Sequence, residues 1–287
     1  REIIGVFHFT LLFFVFSFTL YIFLLPQAAN ATFIVNRPMY LGLTEGLVGY
    51  WTFDGPDMAK VTAYDRSGQG NNGTLVKGPV RVAGKIGQAL EFNGTDSIVC
   101  GGSAAVLDNM VNLTLSAWVY PTVFTTDYLV AKDDNDNALG WLFRFGANNN
   151  AIQFAVDHAT TDLNRLTSNN TITPRKWQHL VATYASSTVK SVATTDVHIY
   201  IDGVEPTYQT NTDAVGARVS DAAQQITIGS RIGTGAPCTA PLQGFGGIID
   251  DVRVYNRILS GDEIKRLHKI GSTFVVNKPR TDTLKEG

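Results

Sequence analysis

The stretch Gly246–Tyr255, G-G-I-I-D-D-V-R-V-Y, decides how the chain is read. It mixes apolar and charged residues over a length that suits one long strand, and in a strand successive side chains point to opposite faces. Strict alternation puts Ile248, Asp250, Val252 and Val254 on one face and Ile249, Asp251, Arg253 and Tyr255 on the other. One carboxylate then points the same way as two valines. Burying even a neutral polar group without a partner costs roughly 2–7 kcal/mol, so Asp250 is expected to be paired, most economically with a cation.

Outward from this strand, short apolar runs recur with turn residues at their ends. Strands are expected at 47–53, 89–92, 97–100, 113–120, 128–132, 141–145, 152–157, 165–167, 177–184, 197–202, 207–210 and 225–229. Asp202-Gly203 is a hairpin signal, since glycine supplies the positive φ of a tight primed turn. So many antiparallel strands close into two packed sheets, an all-β sandwich. One helix follows Leu259. Ser260 and Glu263 form a capping box, Leu259 and Ile264 occupy the staple positions, and Gly271 can end the helix. This helix is expected to cover one end of the sandwich.

Among the 287 residues, 23 basic and 25 acidic side chains are interspersed, a net charge of −2 that offers no basic field for nucleic acid. Residues 3–25 are apolar apart from His8 and a few hydroxyls, and Ala29-Asn30-Ala31 follows as an A-x-A cleavage pattern. Residues 1–31 therefore read as a secretory signal or, being long enough to span a bilayer, as a retained membrane anchor helix. Either places the folded part outside the cytoplasm, secreted or at the cell surface. In that setting Cys100 and Cys238 are expected to form a disulfide rather than a metal or catalytic site, with two unpaired buried thiols as the alternative.

Residues 32–46, T-F-I-V-N-R-P-M-Y-L-G-L-T-E-G, return as residues 273–287, T-F-V-V-N-K-P-R-T-D-T-L-K-E-G. Two Pro-containing linkers flanking one module at 47–271 point to a tandem array. The start at Arg1 rather than Met points the same way, to a piece of a longer reading frame.

Several stretches in order, L-V-G-Y-W-T-F-D-G (47–55), D-R-S-G-Q-G-N-N-G-T (65–74), G-K-I-G-Q-A-L-E-F-N-G (84–94), L-T-L-S-A-W-V (113–119), W-Q-H-L-V-A-T-Y (177–184), V-H-I-Y-I-D-G (197–203) and I-D-D-V-R-V-Y-N-R-I-L-S (249–260), resemble LamG-like domains of the concanavalin A-like lectin and glucanase superfamily. The resemblance covers roughly 47–271 and implies a jelly-roll sandwich. It further implies a structural calcium tying the first strand to the last, with Asp54, Asn93, the Gly94 carbonyl and Asp250 as the matching residues. Calcium takes six to eight oxygen ligands, which these groups plus carbonyls and water can supply. An ion pair or hydrogen bond at Asp250 is the alternative. The acidic run 133–137 has Ala138 and Arg144 where an EF-hand needs glycine and glutamate, and reads as a solvated hairpin loop.

Catalysis is not expected. Glycoside hydrolysis needs two carboxyl groups set across a groove, and the E-x-D-x-x-E string of laminarinase-type relatives does not occur. Glu91, Glu205 and Glu263 are isolated, and His158, His179, His198 and His268 are scattered singly. Binding leads instead. Arg144, Gln153, Ala155 and Asp157 point away from the apolar set Trp141, Phe143, Phe145, Ile152, Phe154 and Val156, so one sheet has a polar outer face on which Arg144, Gln153 and Asp157 are candidate ligand residues for a glycan or matrix polysaccharide. The competing readings are a structural spacer with no small ligand, and an accessory domain of a glycan-degrading enzyme.

Overall fold

The computed structural model describes residues 42–95, 98–102, 105–123, 127–133, 140–146, 150–186, 197–233, 238 and 241–272. The apolar leader, most of the first linker, the second linker and the acidic loop beyond Asp133 lie outside them.

Among the described residues, seven strands make one antiparallel sheet, in the order Val197–Ile201, Gln178–Ala185, Asn112–Pro121, Gly246–Tyr255, Gln88–Asn93 and Val80–Ala83, with Leu47–Trp51 paired to the far half of Gly246–Tyr255. Ten strands make the other, from Tyr208–Thr212 through Leu163–Thr167, Ile152–Val156, Gly140–Phe145, Tyr128–Asp133, Thr227–Ile228, Ile98–Cys100 and Gly73–Val76 to the short pairs Thr62–Ala63 and Met58–Ala59. The expected long strands all form; the short ones between 58 and 83 escaped notice because two to four residues carry too little periodicity to register. Between the sheets lies one large apolar core. It contains Trp51, Phe92, Trp141, Phe143, Phe145, Phe154, Ile249, Val252 and Val254.

The first strand is held by the motif that follows it. Asp65 accepts from the amides of Tyr50 (2.9 Å), Ser67 (2.8 Å) and Asn71 (2.9 Å), and Asn71 in turn donates to the Val48 carbonyl at 2.8 Å. Trp51 Nε1 donates to the Asn71 carbonyl at 3.0 Å. The residues 65–74 therefore form a structural clasp.

The helix Gly261–Ser272 begins as its capping box requires: the Ser260 amide donates to Glu263 Oε2 at 2.8 Å and the Glu263 amide to Ser260 Oγ at 3.3 Å. Its position differs from expectation. Ile264, Leu267 and Ile270 pack with Leu43, Val181 and Tyr255, so the helix lies on the outer face of the seven-stranded sheet and not over an end of the sandwich. Gly271 does not end it. A Cβ there would stand 2.4 Å from the Trp118 ring, so glycine is required for close approach of helix to sheet. Cys100 and Cys238 are joined by a disulfide across 138 residues of sequence.

Candidate functional site

The alternation expected of Gly246–Tyr255 breaks at Asp251. Its φ of +52° and the register shift between Asp250 and Arg253 mark a β-bulge, and one extra residue reverses which side chains face inward. Ile249, Val252 and Val254 all enter the core, whereas Asp250 and Arg253 turn to the outer face with Tyr255. Asp250 therefore does not share a face with the valines.

Turned outward, Asp250 is still wholly buried, because the turn 84–88 folds over it. Its Oδ2 accepts from the Ile86 amide at 2.8 Å, while Oδ1 has no hydrogen-bond partner among the described residues. Burial pushes this carboxyl up to about 8; the Ile86 and Lys85 amides oppose the rise, and the negative charges of Asp251 and Asp54 add to it. Asp54, three residues beyond the end of the first strand, reaches the same turn, its Oδ1 accepting from the Gln88 amide at 2.7 Å. The two glycines of G-K-I-G-Q make room for both carboxylates: a Cβ on Gly84 would lie 2.6 Å from Asp250 Oδ2 and one on Gly87 2.1 Å from Asp54 Oδ1.

Of the four residues matched to a calcium site, Asp54 and Asp250 are thus brought to one turn. Asn93 and Gly94 are not brought there: Asn93 pairs with Gly246, four residues before Asp250, or about 13 Å along a strand. The Asn93 side chain caps the Thr95 amide, and the Gly94 amide donates to the Phe245 carbonyl. Among the described residues, no three His, Cys, Asp or Glu side chains gather as a metal cage. The buried Asp250 Oδ1, without a hydrogen-bond partner among the described residues, fits a hard cation, for which Asp54 would be the second carboxylate.

Beside it runs a buried polar chain. Asp251 pairs with Arg253 at 3.1 Å and accepts from the Tyr50 hydroxyl at 2.7 Å. Burial alone would lower the Arg253 pKa; Asp251 and Tyr50 more than offset it. Further along the same face Ser116 Oγ and His179 Nε2 are 2.8 Å apart, and the rings of His179, Trp118 and His268 contact one another pairwise, with centroids 5.1 Å (His179–Trp118), 5.5 Å (Trp118–His268) and 6.0 Å (His179–His268) apart. Lys85 Nζ lies over the Trp118 ring, 4.9 Å from its centroid, and Asp202 is 3.7 Å from His268. Burial first, then His268 and Arg253, lower the His179 pKa to about 3, so the imidazole is neutral in the fold.

That shift has a sign. Between about 3 and the ordinary value near 6.5 the unfolded chain binds a proton that the folded one does not, so the His179 contribution is complete above 6.5 and lost as pH falls towards 3. Urea unfolding at pH 4.5 against pH 7 should show about 2–3 kcal/mol lost through this residue, at roughly 1.4 kcal/mol per pH unit. His179→Gln, which can still hydrogen-bond Ser116 and does not titrate, should flatten the profile; an unchanged slope would refute the assignment.

On the ten-stranded sheet the expected polar face is present. Trp141, Phe143, Phe145, Ile152, Phe154 and Val156 all point into the core, and their neighbours face outward. Arg144 Nε donates to Gln153 Oε1 at 2.7 Å, Arg144 Nη1 to the Tyr128 hydroxyl at 3.0 Å, and Gln153 Nε2 to Asn164 Oδ1 at 2.9 Å. Arg144 and Gln153 are brought together. Asp157 is not: its amide bonds the Gly140 carbonyl four residues further along, and its side chain is buried. Tyr128 and Arg231 escaped the sequence reading. Arg231 lies 4.7 Å from the Tyr128 ring and 3.4 Å from Asp133, a contact that follows from the pairing of Thr227–Ile228 with Tyr128–Asp133 and leaves no trace in local pattern.

Residues 92–265, more than half of the chain, match the Concanavalin A-like lectin/glucanases superfamily. Among solved structures the chain resembles the binding domain of Paraclostridial Mosquitocidal Protein 1 (15% identity, 79% of this chain and 52% of that one, TM-score 0.58). It also resembles domain 4 of AbnA, a GH43 extracellular arabinanase from Geobacillus stearothermophilus, in complex with arabinotriose (21% identity, 77% and 98%, TM-score 0.53). A third is Trypanosoma rangeli sialidase (18% identity, 78% and 32%, TM-score 0.52). This chain spans about half of the mosquitocidal binding domain and a third of the sialidase, and the likeness to all three is one of fold.

Proposed function

Because this chain belongs to the concanavalin A-like lectin/glucanase superfamily, we propose that it is a non-catalytic carbohydrate-binding or adhesion module, working outside the cell and braced by calcium. The observation that carries this reading is the interlocked row Tyr128, Arg144, Gln153 and Asn164 on the outer face of the ten-stranded sheet. Side chains already fixed by one another lose little freedom when a ligand arrives; the guanidinium and amide groups of Arg144, Gln153 and Asn164 suit the hydroxyls of a sugar, and Tyr128, wholly buried, holds Arg144 in place. The architecture it shares with an arabinanase domain found with arabinotriose supports the same choice.

A binding role rather than hydrolysis is favoured by how the glutamates are used. Glu205 is held by His198 and Tyr208, and Glu263 by Arg257 and Ser260. Calcium is favoured by the unpartnered Asp250 Oδ1 beneath the 84–88 turn. The repeated linker in the sequence favours a second reading, a spacer bead in a surface array. A glycan array probed with the full chain, in calcium and in chelator, separates them. Saturable retention of a glycan without release of reducing ends is the expected result. A fold stabilised by calcium that retains nothing selects the spacer, and release of reducing ends overturns the non-catalytic reading.

A further inference from the structure

We propose that the sugar bound on the ten-stranded face is anionic, and that Arg144 receives its carboxylate or sulfate group. This rests on the carbohydrate-binding reading and names the ligand class for the same face. Among the described residues, every other arginine that is buried or half-buried has a carboxylate within 4.0 Å, as in Arg165–Asp213, Arg218–Asp221, Arg231–Asp133 and Arg253–Asp251. Arg144 is the exception. The groups that orient it, Gln153 Oε1 and the Tyr128 hydroxyl, are both neutral, and burial raises the Tyr128 pKa and keeps the phenol protonated.

Its position is fixed while its charge is unspent. A guanidinium carries five N–H donors in a planar fork, and the two internal bonds use only two of them. The remaining three match the paired oxygens of a carboxylate or sulfate. Arg231 adds a second guanidinium at the same ring, 4.7 Å from Tyr128 against 5.3 Å for Arg144, and its buried Nε has no partner among the described residues. Among the described residues Asp133 pairs with Arg231, and no carboxylate lies within 4.0 Å of Arg144.

The test titrates the full chain with polygalacturonate, dextran sulfate and two neutral polymers, dextran and arabinan, at fixed ionic strength. Retention of polygalacturonate identifies a carboxylate source and retention of dextran sulfate alone a sulfate source; either is expected to weaken by about tenfold or more in Arg144→Gln. Arg144→Lys, which keeps the charge and loses the fork, should fall between. Arg81→Gln, an exposed arginine on the other sheet, should bind as the parent does, and equal loss in both variants would reduce the effect to general attraction of polyanions and overturn the proposal. Arabinan or dextran bound with equal affinity by parent and Arg144→Gln overturns the anionic class and leaves the carbohydrate-binding reading standing. Retention of none of the four overturns both. Unchanged circular dichroism of each variant shows that the fold is intact.

Discussion

Asp251→Ala should cost about 3–5 kcal/mol of folding stability, measured by urea unfolding at neutral pH. The carboxylate is almost fully buried and is the charged partner of Arg253, itself 4% exposed, so its removal leaves a guanidinium in the protein interior without compensation. Tyr50 loses the acceptor of its hydroxyl in the same step. A second, smaller cost is conformational: φ at this position is +52°, a region that alanine enters at about 1–2 kcal/mol and that aspartate and asparagine tolerate better. Asp251→Asn should therefore lose less, because it keeps the backbone geometry and an oxygen for Tyr50 while giving up only the charge. A loss below about 1 kcal/mol for alanine would mean that Arg253 finds another anion, and that the bulge is not held by this pair.

Opening the Cys100–Cys238 bridge should remove about 4–5 kcal/mol, most of it by freeing the unfolded chain, since the bond closes a loop of 138 residues. In the fold the bridge joins a small apolar cluster with Ile98 and Ile232. Arg231 is the neighbour of Ile232, so the same reduction should loosen the guanidinium that lies over Tyr128 and weaken glycan retention as well as stability. Urea unfolding with and without reductant measures the first effect. The double variant Cys100→Ala, Cys238→Ala should be insensitive to reductant and match the reduced parent. Equal stability of oxidised and reduced parent would contradict the prediction.

What the sequence disclosed and what it withheld follow from one physical distinction. Local signals were legible: the Ser260–Glu263 box, the Asp202-Gly203 turn with both residues at positive φ, and the alternation that sends Trp141 inward and Arg144 outward all depend on neighbours within a few residues. The bulge was not legible, because a period of two holds on either side of Asp251 and only the shifted register against Asn112–Pro121 reveals the extra residue. Once that residue is counted, Asp250 changes face, and the turn that covers it proves to be 84–88 rather than the F-N-G turn at Asn93 and Gly94. The G-K-I-G-Q string carried a usable sign, two glycines spaced to let carboxylates approach backbone amides, but which carboxylates these were depends on strand order. The Tyr128–Arg231 contact depends likewise on pairings between segments about a hundred residues apart.

The cation at Asp250 can be tested directly by scanning calorimetry of the full chain in saturating calcium and in chelator, for the parent and for Asp250→Asn. Binding to the native state alone at a hundred times the dissociation constant adds about 2.7 kcal/mol, so the parent should melt several degrees higher in calcium. Asp250→Asn, which retains an acceptor for the Ile86 amide and loses the charge, should melt at the same temperature in both solutions. A parent whose melting temperature is identical in calcium and chelator, with the asparagine variant as stable or more so, would show instead that Asp250 is held as a neutral acid and that no ion ties Asp54 and Asp250 together at the 84–88 turn.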